Sequence, residues 1–281
     1  MASPLEYRGG AMELGIPKSY GSYEEMLADP EIEAVYNPLP NHLHVPLTLA
    51  AARAGKHVLC EKPIAITAKE AIELKKAPKD IHIAEAFMVR HHPQWQHTRS
   101  LIREGAVGEL KSIQVSFSYF NADPNNIRNK ADIGGGGLLD IGCYAVVAGR
   151  YFFEAEPARV IGLIERDPTF GTDRTASALM DFGAGRQLTF TVSTQLVPFQ
   201  RIQILGTKGR LEIEIPFNAP ADKPVRIFVD DGNLHGGGSA QVVDFPIVDQ
   251  YQLQGEAFSR AVRGDQPLAY GLDDAIQNLR I

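Results

Sequence analysis

Cysteine is scarce: Cys60 and Cys143 are the only two in the 281 residues. That is too few for a disulfide framework, and they form no metal-type pair, so a reducing, cytoplasmic setting is expected. No apolar run approaches the ~18 uncharged residues of a membrane helix, because Arg, Lys, Asp or Pro breaks the longest stretches, and no membrane partner is expected. Blocks of Lys and Arg are absent too, and 28 basic residues against 34 acidic ones give a formal net charge of -6. A phosphate-backbone partner is thereby disfavoured, and small molecules are the expected ligands. The opening Met1-Ala2-Ser3-Pro4-Leu5-Glu6 has no basic segment followed by an apolar one, so no signal peptide is expected. No repeat or low-complexity stretch appears.

What is present suits a packed globular protein. Hydrophobic residues make up 44% and charged residues 22%, near the roughly 45–50% and 25% of ordinary globular chains. The length exceeds the ~150 residues of a typical domain, so two domains are expected, 1–90 and 91–281. The first alternates helical and strand patterns, which predicts a parallel sheet with crossover helices. A helix is expected over 23–27 after the N-cap Ser22, strands over 33–36, 56–60 and 81–88, and helices over 46–54, closed by Gly55, and 67–76. From residue 110 the period changes to two over 111–120 and the segments between 158 and 248, with Gly206-Thr207-Lys208-Gly209 as a hairpin turn. An antiparallel sheet is predicted there. Between the two patterns, 138–153 reads as a long buried helix after Gly134-Gly135-Gly136-Gly137, and the last thirty residues read as helices over 251–262 and 272–281.

Two constellations stand out chemically. Glu61-Lys62-Pro63 lies just past the strand ending at Cys60, where open parallel sheets place their ligands, and Pro63 biases Lys62 to an extended backbone. The alternative is a solvated surface lysine before a turn. Asp140 and Tyr144 are four apart and share one helix face. A phenol with its ordinary pKa of about 10 becomes a plausible proton shuttle if a cation such as Lys62 favours the phenolate; the alternative is a buried tyrosine with a satisfied hydroxyl and a helix-capping Asp. The four glycines either let backbone approach a ligand or form a flexible turn. His42 and His44 lack a matching carboxylate or Cys pair, and no metal is expected. His91, His92 and His97 read as polar surface or as the edge of a substrate cleft. Cys143 reads as core.

Three segments taken in order resemble a known family: Asn37-Pro38-Leu39-Pro40-Asn41-His42-Leu43-His44, Ala54-Gly55-Lys56-His57-Val58-Leu59-Cys60-Glu61-Lys62-Pro63, and Gly135-Gly136-Gly137-Leu138-Leu139-Asp140-Ile141-Gly142-Cys143-Tyr144. The family is that of glucose-fructose oxidoreductase, inositol dehydrogenase and the rhizopine catabolism protein (Gfo/Idh/MocA). Glu85-Ala86-Phe87-Met88 and Gly206-Thr207-Lys208-Gly209 extend the resemblance over nearly the whole chain. It implies an α/β fold, a Rossmann domain for NAD or NADP and a C-terminal α/β domain whose large, mostly antiparallel open sheet often forms the interface of a homodimer or homotetramer. By resemblance, Lys62, Asp140 and Tyr144 are catalytic, and Arg128, Asp140 and Tyr144 meet the substrate. The nucleotide falls to Ser3, Pro38, Leu39, Asn41, His44, Glu61 and Lys62.

Many members carry His at the position of Tyr144. The Asp-Ile-Gly-Cys-Tyr form resembles the branch of aldose 1-dehydrogenases and dimeric dihydrodiol dehydrogenase, which implies hydride transfer from a sugar or related cyclic polyol or diol. The alternatives are a non-catalytic sugar- or nucleotide-sensing regulator on the same fold, and a structural dimer. The family's opening strand, G-x-G-x-x-G turn and helix, which put a pyrophosphate on a helix N-terminus, are not found here, and the last helix reads as cut short. A protein without that turn is expected to hold nucleotide poorly. Ser3, with Arg8 nearby, suits a 2'-phosphate, and NADP is favoured over NAD.

Overall fold

The computed structural model describes residue 13 and residues 15–232 and 240–281. Helix α1, Tyr23–Ala28, starts where Ser22 accepts a hydrogen bond from Glu25 N and Glu25 in turn accepts one from Gly21 N, which satisfies two backbone donors that the helix itself leaves free. Three short strands follow: β1 Ala34–Asn37, β2 His57–Cys60 and β3 Ile83–Glu85. They pair parallel in that order. Helix α2, His44–Arg53, joins β1 to β2 and is stopped at Gly55, whose φ of 77° is left-handed. Helix α3, Ala68–Glu73, capped by Thr67, leads toward β3.

The expected strand over 81–88 is thus only three residues long. The chain turns at Met88–His91 and enters α4, Pro93–Arg103, so residues 91–97 form a helix entrance. Pro93 occupies the first helical position, where a missing N–H costs nothing, and His92 Nδ1 accepts from Gln94 N at 3.1 Å.

The second sheet comprises β4 Leu110–Phe120, β5 Arg159–Arg166, β6 Asp173–Asp181, β7 Gln187–Ser193, β8 Gln195–Gly206, β9 Arg210–Ile213, β10 Val225–Asp230 and β11 Gln241–Phe245. Their order is β11-β10-β9-β8-β4-β7-β6-β5, antiparallel throughout except for the parallel pair β4–β7. The hairpin at Gly206–Gly209 joins β8 to β9, as its sequence requires. Alternation sends Leu188, Phe190 and Val192 inward, while Thr189 and Thr191 face out, so β7 is apolar on one side only. Against the inner face lies α5, Cys143–Phe153, entered through one π-helical turn at Leu138–Gly142. The stretch Ala131–Phe153 is long and apolar enough to cross a bilayer by composition, yet α5 is buried along nearly its whole length as a core helix.

Helices α6, Gln250–Val262, and α7, Leu272–Arg280, return the chain to the parallel sheet. Ala275 and Ile276 of α7 join α2 and α3 around Val58, Cys60 and Ile83, while Phe258 of α6 covers Leu59 and Ala84 on the other side. The carboxyl ends of β1 to β3 are thereby left facing the π turn and the end of β4.

Candidate active site

A cavity of about 590 Å3 opens at that junction, within the size range of small-molecule sites. Lys62, Asp140 and Tyr144 all line it, although 78 positions separate the first two in sequence. Lys62 Nζ donates to the Asp140 carbonyl at 2.7 Å and to its Oδ1 at 3.2 Å. The other carboxylate oxygen, Oδ2, accepts from Tyr119 Oη at 2.5 Å and from Arg128 Nε at 2.9 Å. Burial works against the charge on Asp140, but Lys62 and Arg128, with the two hydrogen bonds, outweigh it and hold the carboxyl below its ordinary pKa. For Lys62, burial is likewise outweighed by Asp140, Cys143 and Glu61, and its pKa lies above that of ordinary lysine. The site therefore presents a fixed ion pair, with Lys62 and Asp140 each 13% exposed in their side chains.

Tyr144 differs from expectation in one respect. Lys62 Nζ sits 5.2 Å from the centre of its ring, a cation–π contact, while the hydroxyl donates to Met88 Sδ at 3.4 Å. The ring is packed edge-on against Phe87 at 5.2 Å and lies 5.4 Å from Phe217. Burial raises the Tyr144 pKa well above that of ordinary tyrosine. The expected stabilisation of a phenolate by Lys62 is overridden, because desolvating a phenolate among aromatic rings costs more than the cation returns.

The glycine run is closely packed on one side. A Cβ on Gly135 would come within 2.6 Å of Arg128 O and 2.7 Å of Lys130 O, and one on Gly136, at φ 121°, would overlap the Asp173 carboxylate. The run packs against its own loop while Gly134, Gly135 and Gly136 line the cavity. Asn41 Nδ2 donates to Gly134 O at 2.8 Å and pins this loop to the parallel-sheet unit.

Of the residues assigned to the nucleotide, Pro38, Leu39, Asn41, His44, Glu61 and Lys62 line the cavity, and Ser3 lies outside the described residues. His44, also in the cavity lining, is 1% exposed, and its two ring nitrogens face Pro63 O at 2.7 Å and Leu39 O at 2.5 Å, tying the two cavity loops together. His42 is exposed, and His91, His92 and His97 lie away from this cavity. Cys143 is buried in the core with its thiol pKa raised by burial.

The sequence comparisons agree with this architecture. Residues 4–84 match the family described as "Oxidoreductase family, NAD-binding Rossmann fold", and residues 95–212 match the "GFO/IDH/MocA C-terminal domain". The chain belongs to the Gfo/Idh/MocA oxidoreductase family. One relative, an uncharacterized oxidoreductase (ORF334) of Rhizobium meliloti, is 45% identical over 98% of this chain and 83% of its own length. Another, a D-xylose 1-dehydrogenase (NADP(+)) of Haloferax volcanii, is 36% identical over 95% of this chain and 82% of its own. Among solved structures, the 3-ketoreductase KijD10 of Actinomadura kijaniata, in complex with NADP and TDP-benzene, superposes with a TM-score of 0.87 at 26% identity, covering 97% of this chain and 83% of that one. The chain is an NAD(P)-dependent oxidoreductase. The regulator reading finds no support among relatives that are dehydrogenases and reductases.

The Gfo/Idh/MocA cavity fits the nicotinamide end of that cofactor. It combines a flat apolar wall, Pro38 and Leu39, with one lysine at the carboxyl edge of a parallel sheet. Two tyrosines escaped sequence reasoning. Tyr119 stands at the end of β4 in register with the inward-facing Ile113, Val115 and Phe117, and that alternation is the signal that marks it. Tyr36, half exposed, donates to Glu61 Oε1 at 2.5 Å across neighbouring strands. Only the fold joins them.

Proposed function

We propose that this oxidoreductase oxidises a hydroxyl of a sugar or related cyclic diol, with NADP as the favoured partner. The supporting observation is the Lys62–Asp140–Arg128–Tyr119 network, which sets one cation and one carboxylate, both fixed, at the wall of a cavity at the sheet's carboxyl edge. The activities for which the xylose dehydrogenase and the trans-1,2-dihydrobenzene-1,2-diol dehydrogenase of Mus musculus are named support the same substrate class.

A nicotinamide held against Pro38, Leu39 and Lys62 would supply the acceptor for the hydride of the carbinol carbon. The substrate hydroxyl rests against Lys62 Nζ, which orients it and stabilises negative charge on its oxygen as the proton leaves. Asp140 keeps Lys62 in place and, with Arg128, meets a neighbouring hydroxyl. Tyr144, once its hydroxyl gives up Met88, relays the departing proton: it accepts the substrate's proton as it passes its own on to solvent at the cavity mouth. Residues 1–90 form the nucleotide unit and 91–281 the substrate and assembly unit. Cys60 and Cys143, both buried and unpaired, suit the cytoplasm, and the outer face of the large sheet suits a homodimer or homotetramer.

The test is direct. The purified protein, given NADP+ or NAD+ and a panel of aldoses and vicinal diols, is followed by nicotinamide absorbance. Reduction with an aldose, faster with NADP+, is expected; no reduction with any sugar or diol and either nucleotide overturns the reading.

A further inference from the structure

A second cavity, of about 400 Å3, shares no lining residue with the Lys62 cavity. It lies between α6, the end of β3 and the entrance of α4, with Leu59, Phe87, Phe258 and Leu268 forming apolar walls. Three arginines, Arg90, Arg99 and Arg260, line it against a single carboxylate, Glu85, whose Oε1 is committed to Ile64 N at 2.8 Å.

The arginines are unequally neutralised. Arg90 pairs with Asp274 at 2.5 Å, but its buried Nε has no acceptor among the described residues. Arg99 lies flat over Tyr151 at 4.2 Å and donates to Tyr270 Oη at 3.3 Å, with no ion pair among the described residues. Arg260 reaches Glu256 only at 3.7 Å. His91, on the same wall, is held to a pKa of about 4 by burial and by the positive charges of Arg90 and Arg260.

We propose that this cavity is a binding site for a small organic monocarboxylate with an aromatic or branched apolar body. The charge surplus selects an anion, and the planar guanidinium forks suit a carboxylate, which takes two parallel hydrogen bonds. The walls of Leu59, Phe87, Phe258 and Leu268 select the apolar body, since a fully hydrated ion would leave them wet. The volume is that of an ordinary small-ligand pocket. The site does not depend on the reaction proposed above.

Benzoate is the probe, with benzamide as the uncharged isostere and inorganic phosphate as the charge without a body. Titration calorimetry on the full chain is paired with NMR of the His91 ring. Saturable 1:1 benzoate binding is expected, undiminished by NADP, with a rise in the His91 pKa and with benzamide and phosphate each at least about 10-fold weaker. Arg99→Gln should weaken benzoate roughly 10-fold or more, the usual scale for a lost charge-assisted hydrogen bond. Arg260→Gln, at an exposed position, should do so less strongly and decides the matter if Arg99→Gln does not fold. The proposal falls if benzoate does not bind at millimolar concentration, if NADP displaces it, if benzamide or phosphate binds equally well, or if the folded variants bind like the parent.

Discussion

At the scale of single residues, Lys62 and Tyr144 divide the chemistry unequally, because only the lysine offers a charged atom to the cavity. Lys62→Ala removes both the orienting donor and the partner of Asp140, and turnover should fall beyond measurement. Tyr144→Phe keeps the ring against Phe87 and Phe217; folding and nucleotide binding should survive, while kcat falls by the 10²–10⁴ typical of general acid–base catalysis. Unchanged kcat in Tyr144→Phe would remove Tyr144 from the proton transfer. A third substitution reads the ion pair. Asp140 is an attraction that keeps Lys62 protonated against burial, so Asp140→Asn should let the lysine lose its proton at lower pH. The alkaline limb of the kcat/KM profile should then move toward neutrality, and a profile that stays put would remove Asp140 from this role. Strand-end position and i,i+4 spacing singled out Lys62, Asp140 and Tyr144 with a second reading open beside each, and the resemblance chose between them. The alternation of β4 turns Tyr119 inward, but its hydrogen bond to Asp140, 21 positions away, belongs to the fold.

Secondary-structure elements show why some boundaries were legible and others were not. Ser22, Thr67 and Gly55 mark helix ends by local chemistry, and the structure places caps there. At the start of α4, Pro93 takes the first helical position and Gln94 N donates to His92 Nδ1, a cap that exists only once the helix has formed. The glycine run is a tertiary requirement, so its composition alone left two readings open. Gly136→Ala should be strongly destabilising, by roughly 2–4 kcal/mol, because the new methyl meets both a positive φ and the Asp173 carboxylate. Urea unfolding would detect it, and near-parent stability would contradict the packing described. At the end of β3, Glu85 is 7% exposed and burial lifts its pKa to about 7, partly opposed by Ile64 N and Arg90. An acid whose folded pKa is raised binds more protons folded than unfolded, so it lowers stability as pH rises from about 4.5 to about 7, the cost staying in full above that. Glu85→Gln should abolish this decline, worth roughly 3 kcal/mol at most, in unfolding free energies compared at acid and mildly alkaline pH. An unaltered pH slope in the variant would exclude Glu85 as its source.

For the whole molecule, two sheets of opposite character meet at one cavity, and among the described residues the larger sheet keeps a face uncovered. Register identifies that face: Thr191 pairs with Ser177 and Ser177 with Leu163, while Thr189 pairs with Leu179 and Leu179 with Ile161. On the other side of β7, Thr191 pairs with Ser116 and Ser193 with Ser118, which stands opposite Phe199 of β8. The outward surface is therefore a central row of hydroxyls flanked by apolar patches, with Leu163 80% and Val197 76% exposed. Such patches are rarely left to water, and α5 cannot reach them because it packs on the inner face. A second copy of the chain, laid face to face, would cover both. Leu163→Asp combined with Val197→Asp should leave the cavity of about 590 Å3 and the fold intact, yet weaken self-association roughly 10²-fold or more, from ~1.5–3 kcal/mol of lost burial at each site. Sedimentation velocity over a range of concentrations measures this, and a parent protein that stays monodisperse and monomeric at high concentration would refute the assembly.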